Sequence, residues 1–205
     1  MPDNVRQFAR VATGDVKSYN LTMPFNAWHD ITAGPAVPEE LNLIVEIPRG
    51  SRNKYELDKE TGLFRFDRLL YSAVYYPGDY GFIPRTLADD DDPLDVLVMV
   101  TVPTFPGCLV VVRPVGVFEM SDEKGHDEKI LAVPVRDPLY DEYQGLADVP
   151  KHYLREVEHF FRIYKELEGV QTNVIGWEDV AVARRLIVAA CARYGEVHGI
   201  GRTTV

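Results

Sequence analysis

Apolar residues along this chain come in short bursts. The runs at 41–47, 96–102 and 109–112 are each strand-sized, far below the ~18 residues of a membrane span. Further strand-like stretches at 54–57, 62–67, 108–118 and 129–135 are separated by turn residues. Asp58-Lys59-Glu60-Thr61-Gly62 reads as a hairpin turn, and Tyr75-Tyr76-Pro77-Gly78-Asp79-Tyr80-Gly81 is too rich in Gly and Pro for anything but an ordered loop. After Pro150 the period changes. Tyr153, Val157, Phe160, Phe161, Tyr164 and Leu167 recur at helical spacing, and Gly169 closes the run. A second helix is expected from about 178 to 194, with Ala183, Ile187, Ala190, Cys191 and Tyr194 on its apolar face and Gly195 as its stop. Short strands followed by two helices point to an α+β protein, mainly β, built as a closed or partly open barrel with flanking helices. Residues 1–27 carry little periodic pattern and are expected to form an N-terminal extension, which Trp28 and His29 dock onto the body. No flexible linker divides the rest, so 28–205 is expected to be a single domain.

Composition narrows the class. The 205 residues are 46% hydrophobic and 26% charged, which excludes wholesale disorder, a collagen-like repeat or a coiled coil. Lys and Arg number 22 against 32 Asp and Glu, a formal net charge of −10. Phosphate-backbone affinity needs a basic surface, so nucleic acid is not an expected partner. The first residues have no apolar core and do not read as a signal peptide. With only Cys108 and Cys191 and no CxxC, the thiols are expected to be reduced and structural, and the location cytoplasmic, away from any membrane.

The strongest chemical signal is Asp89-Asp90-Asp91-Asp92-Pro93-Leu94-Asp95, running straight into an apolar strand. Pro93 bars helix, so the backbone is expected to be extended, with Asp90 and Asp92 pointing the same way. Two carboxylates 4 Å apart repel by roughly 1 kcal/mol in water and roughly 4 near a protein surface. A rigid cluster therefore needs a cation, and all-oxygen ligands favour Mg2+ or Mn2+ over Zn2+. An isolated Asp run is more often a solvated turn, and both readings stand at this point. A second acidic segment, Asp122-Glu123-Lys124-Gly125-His126-Asp127-Glu128-Lys129, reads as a hairpin tip that could add ligands. In Glu46-Ile47-Pro48-Arg49-Gly50-Ser51-Arg52-Asn53-Lys54-Tyr55-Glu56, Glu46 interrupts an apolar strand, and Lys54 and Glu56 face away from Tyr55. Surface salt bridging explains that piece equally well. Arg68, Tyr80, Tyr164 and Lys165 carry little individually. There is no GxxxxGK[ST] loop and no GxSxG elbow, and no helix follows Gly199-Ile200-Gly201.

Taken together these pieces resemble the family I soluble inorganic pyrophosphatases. Asp90-x-Asp92-Pro93-x-Asp95 is similar to that family's defining motif. The likeness continues in order through Val45-Glu46-Ile47-Pro48, Lys54-Tyr55-Glu56, Asp67-Arg68, Tyr76-Pro77-x-x-Tyr80-Gly81, Arg113-Pro114-Val115-Gly116, Asp122 to Lys129, and His159-Phe160-Phe161-x-x-Tyr164-Lys165. The resemblance implies a five-stranded OB-like barrel with two C-terminal helices and the hydrolysis of pyrophosphate to two phosphates with Mg2+, Mn2+ being an alternative. It implies Asp90, Asp95, Asp122 and Asp127 as metal ligands, Glu46 and Glu56 acting through metal-bound waters, and Asp92 as general base. Lys54, Arg68, Lys129, Tyr164 and Lys165 would grip the phosphoryl groups, with Tyr80 in support. Many bacterial members are hexamers with two histidines on one helix. Here His159 matches the first and Ile163 stands at the second, so the implied assembly is a homo-oligomer, a hexamer first.

Overall fold

The computed structural model describes residues 25–123 and 125–199. Most of the expected extension at 1–27 lies outside these residues, as do Lys124, Ile200 and Gly201. The described strands are β1 (Leu41–Ile47), β2 (Asn53–Leu57), β3 (Phe64–Leu69), β4 (Asp79–Phe82), β5 (Asp95–Val98), β6 (Leu109–Asp122), β7 (Gly125–Pro134) and β8 (Asn173–Asp179). The α-helices are α1 (Ala27–Asp30), α2 (Lys151–Ile163) and α3 (Val180–His198).

Strand β1 pairs with β4 on one side and with the start of β6 on the other, so the order β1-β4-β5-β7-β6 closes into a ring of five. This is the expected barrel. The long strand β6 makes closure possible. Its first residues, 109–112, face β1, and residues 116–121 stay paired with β7 while carrying β8 on their other edge. All ring pairings are antiparallel except β5 with β7. Strands β2 and β3 form a separate hairpin about the expected turn, where Asp58 accepts from the Glu60 and Thr61 amides at 3.0 Å.

Alternation along the strands sends neighbours to different cores. Leu97 packs with Phe118, Leu131 and Phe161 beneath α2, whereas Val96 and Val98 pack with Ile130, Ala183 and Ile187 beneath α3. A third cluster joins Trp28 to Ile44, Phe82, Leu87 and Tyr194, so Trp28 is docked as expected. Its indole donates to the Thr86 carbonyl at 2.9 Å. Burying an indole of roughly 200 Å² is worth about 5 kcal/mol before ordering costs.

Three expectations need correction. Residues 79–81 of the expected loop, with Phe82, form β4, because Gly81 lets the backbone approach β1. A Cβ there would lie 1.9 Å from the Ile44 carbonyl oxygen. Strand β8 was not foreseen. It occupies residues between the two expected helices, for which the pattern predicts no element, and the expected start of the second helix, which begins only at Val180, where the Asp179 side chain caps it. That helix also runs through Gly195 and stops at Gly199, whose φ is +66°. A mid-helix glycine costs about 1 kcal/mol, and the final turn sets against this the packing of His198, edge-on to Trp28 and tilted against Tyr194 and His29.

Candidate active site

The ring, the β2–β3 hairpin and the turn after α2 enclose a cavity of about 610 Å³. The thirteen residues singled out in the sequence all line it. Glu46 comes from β1, Lys54 and Glu56 from β2, Arg68 from β3, Tyr80 from β4 and Asp95 from β5. Asp122 ends β6, Asp127 and Lys129 sit on β7, Asp90 and Asp92 precede β5, and Tyr164 and Lys165 follow α2.

Lys129 forms the floor. It is 3% exposed, and its ammonium donates to Asp95 and Asp127 at 2.8 Å and to the Tyr80 hydroxyl at 2.9 Å. The Tyr80 hydroxyl in turn donates to Asp95. Burial alone would lower the Lys129 ammonium, but Asp95, Tyr80 and Asp127 hold it well above its usual value. Burial also pushes the Asp95 carboxyl up, against the pull of Lys129. The Tyr80 phenol is raised by burial and by Asp95, so it stays a neutral donor.

The walls alternate in sign. Lys165 donates to Asp122 at 2.8 Å. Lys54 pairs with Glu56 and lies 3.3 Å from Asp67. Arg68 pairs with its neighbour Asp67 and reaches Glu168 at 2.8 Å. Glu46 accepts from the Leu57 amide at 2.8 Å, and burial pushes its carboxyl up to about 8.

The rim differs from expectation. The aspartate run is a turn, not an extended stretch: the Ala88 amide donates to the Asp92 carbonyl at 2.7 Å, and Asp91 takes a left-handed φ of +64°. The Asp90 carboxylate accepts from the Asp92 amide at 3.1 Å, a local hydrogen bond that competes with extension. Pro93 excludes helix but leaves such a turn open. Asp90 and Asp92 still line the cavity.

Two charged lining residues, Lys59 and Glu168, fall outside the segments that the sequence singles out for chemistry. Lys59 lies 2.5 Å from Asp92 and had been read only as part of a turn. Glu168 stands three residues beyond Lys165, on a 3-10 turn spanning Glu166–Glu168, and that offset was the available signal. His159 is exposed on α2 and packs into neither core.

The lining holds nine carboxylates and five basic side chains. These donors are hard oxygens with an excess of negative charge, and burial raises Glu46 and Asp95. That chemistry suits a hard divalent cation. Among the described residues no three Asp, Glu, His or Cys side chains yet converge on one point, since lysines stand between the carboxylates.

The chain is also similar to known proteins. The family model for inorganic pyrophosphatase matches residues 43–195. An inorganic pyrophosphatase of Methanosarcina mazei is 53% identical over 154 residues, 75% of this chain and 91% of that relative. One from Haloferax volcanii is 47% identical over 172 residues, 83% of this chain and 97% of that relative. The crystal structure of inorganic pyrophosphatase from Thermus thermophilus superposes with a TM-score of 0.81 at 45% identity, covering 83% of this chain and 99% of that one.

Proposed function

Because the chain belongs to the inorganic pyrophosphatase family and is an inorganic diphosphatase, we propose that Asp92 is its general base and that Mg2+ or Mn2+ is its cofactor. The observation that carries this is the lining of one cavity by Asp92, by four further carboxylates paired with basic side chains (Glu56, Asp122, Asp127 and Glu168), and by the lysines and arginine that an anionic substrate needs.

Asp90, Asp95, Asp122 and Asp127 would hold the metal, with Glu46 and Glu56 contributing through water. Bound Mg2+ supplies positive charge to offset the polyanionic substrate and lowers the pKa of a coordinated water. Asp92 takes one proton from the attacking water as the water oxygen bonds to phosphorus. The bridging phosphorus–oxygen bond breaks, and its electron pair leaves with the second phosphate. Arg68 offers a planar fork to phosphoryl oxygens, and Lys54, Lys129 and Lys165 act as point charges. Tyr164 donates a hydroxyl, and Tyr80 keeps Asp95 and Lys129 in register. Charge building on the leaving phosphate meets cations already fixed by their carboxylate partners, which is electrostatic preorganisation.

Residues 28–205 act as one catalytic unit in this proposal, supported by the family match at 43–195. The protein works in the cytoplasm as a homo-oligomer, a hexamer first. Two unpaired, half-buried thiols at Cys108 and Cys191 support a reducing compartment, and exposed Val102, Phe105 and Leu109 offer apolar surface for assembly. No helix among the described residues is long and apolar enough to cross a membrane.

Mn2+ binding followed by electron paramagnetic resonance tests the ligand set independently of turnover. Wild type is expected to bind Mn2+ and to lose it to EDTA, with Asp95→Asn and Asp127→Asn weakened. Binding unchanged in both variants would contradict the assignment.

A further inference from the structure

Lys59 sits on the β2–β3 turn, where a lysine would ordinarily be a solvated surface charge. Here its position is fixed from three sides. Its ammonium lies 2.5 Å from an Asp92 carboxylate oxygen and 3.3 Å from the Asp91 carbonyl. The same ammonium rests over the Trp28 indole, 4.9 Å from the ring centroid. Its carbonyl accepts from the Asn26 side-chain amide at 3.0 Å.

The indole beneath it is itself anchored. Trp28 is 5% exposed and donates to the Thr86 carbonyl, and the Thr86 hydroxyl accepts from the Leu94 amide at 2.9 Å. Thr86 and Leu94 bracket the aspartate turn, so the platform under Lys59 and the loop carrying Asp92 share one anchor at Thr86. Phe25 closes the arrangement from the other side: a Cβ at Gly62 would lie 2.3 Å from its carbonyl oxygen, so residues 25 and 26 lie directly on the turn. Asn26 and Trp28 precede the residues matched by the family model.

We propose that Lys59 is a positioning residue for Asp92, held over the Trp28 indole so that its ammonium fixes the direction of the carboxylate that takes the proton. This rests on Asp92 being the general base. Both side chains are about half exposed, 46% and 55%, and an isolated pair of that kind is worth little. The indole changes the balance by removing the freedom of the lysine stem before Asp92 is engaged and by adding a cation–π contact. The aspartate turn has no packed core of its own, so the direction of this carboxylate depends on a fixed partner. A misdirected base slows the chemical step without weakening substrate binding.

Steady-state phosphate release from pyrophosphate in Mg2+ decides it, using Lys59→Met, Lys59→Arg, Asp92→Asn and the Lys59→Met/Asp92→Asn double variant. Lys59→Met is expected to lower kcat roughly three- to tenfold with KM within about twofold, and Lys59→Arg to restore most of it. In the Asp92→Asn background Lys59→Met is expected to cost nothing further, because it acts through that carboxylate. An unchanged kcat in Lys59→Met, a loss confined to KM, or the same factor of loss in both backgrounds would overturn the positioning role alone. Full activity in Asp92→Asn, or no turnover in wild type, would instead overturn the assignment of Asp92, and the positioning role with it.

Discussion

Asp95 and Lys129 face each other in register across the parallel pair β5–β7, and their side chains meet at 2.8 Å on the floor of the cavity. A second aspartate, Asp127, reaches the same ammonium. One cation thus sits where carboxylates from two strands converge. Lys129→Met leaves both without that partner. In EDTA the variant is expected to be destabilised by about 1–3 kcal/mol in urea unfolding, less than for a fully buried pair because the cavity admits water. Its kcat is expected to fall by about 100-fold or more, since the proposed phosphate contact of Lys129 is lost as well.

Glu168 pairs with Arg68 at 2.8 Å, and the side chains are 13% and 27% exposed. Arg68 is held above its ordinary value by Glu168 and Asp67, despite burial. Glu168→Ala frees the guanidinium to collapse onto Asp67. The expected outcome is a KM for pyrophosphate raised by roughly three- to tenfold, with a smaller change in kcat, as measured by initial rates of phosphate release.

Gly81 is a backbone requirement rather than a loop marker. Gly81→Ala would force a Cβ against the Ile44 carbonyl, where β4 pairs with β1. Strands cannot separate there without opening the ring. Destabilisation of about 2 kcal/mol or more is expected in chemical denaturation.

His29 adds a pH dependence to the docked segment. Burial and the neighbouring His198 hold its imidazole below the ordinary value. The unfolded chain therefore binds this proton more readily than the folded one. The contribution is fully present above the unfolded value of about 6.5 and is lost as pH falls through the folded one. Stability measured between pH 7.5 and 5 is expected to fall less steeply in His29→Gln than in wild type. Equal slopes would contradict the assignment.

Much of this was legible because the decisive residues lie in runs. Asp90 to Asp95 is contiguous, β1 and β5 are plain apolar bursts, and α2 repeats Val157, Phe160, Phe161 and Tyr164 at helical spacing. Strand β4 was hidden because Gly78 and Gly81 mimic a loop. Their real role is close approach to β5 and β1, which depends on the partner strands. Strand β8 was hidden because it is mostly exposed and interrupted by Gly176, at φ +149°, so its apolar alternation is faint. Lys59 gives no local signal, and Glu168 only its offset from Lys165. Each is a charged residue in a turn, and its meaning comes from Asp92 and Arg68, which lie far away in the chain.

Asp92→Asn keeps the size of the side chain and removes its basicity, so it bears most directly on how this cavity works. Phosphate release from pyrophosphate should be measured in saturating Mg2+ for wild type and Asp92→Asn, alongside Mn2+ binding to confirm that the metal site is intact. The expected result is normal metal binding with kcat lowered by about 100-fold or more. An Asp92→Asn enzyme that turns over at the wild-type rate would contradict the central claim.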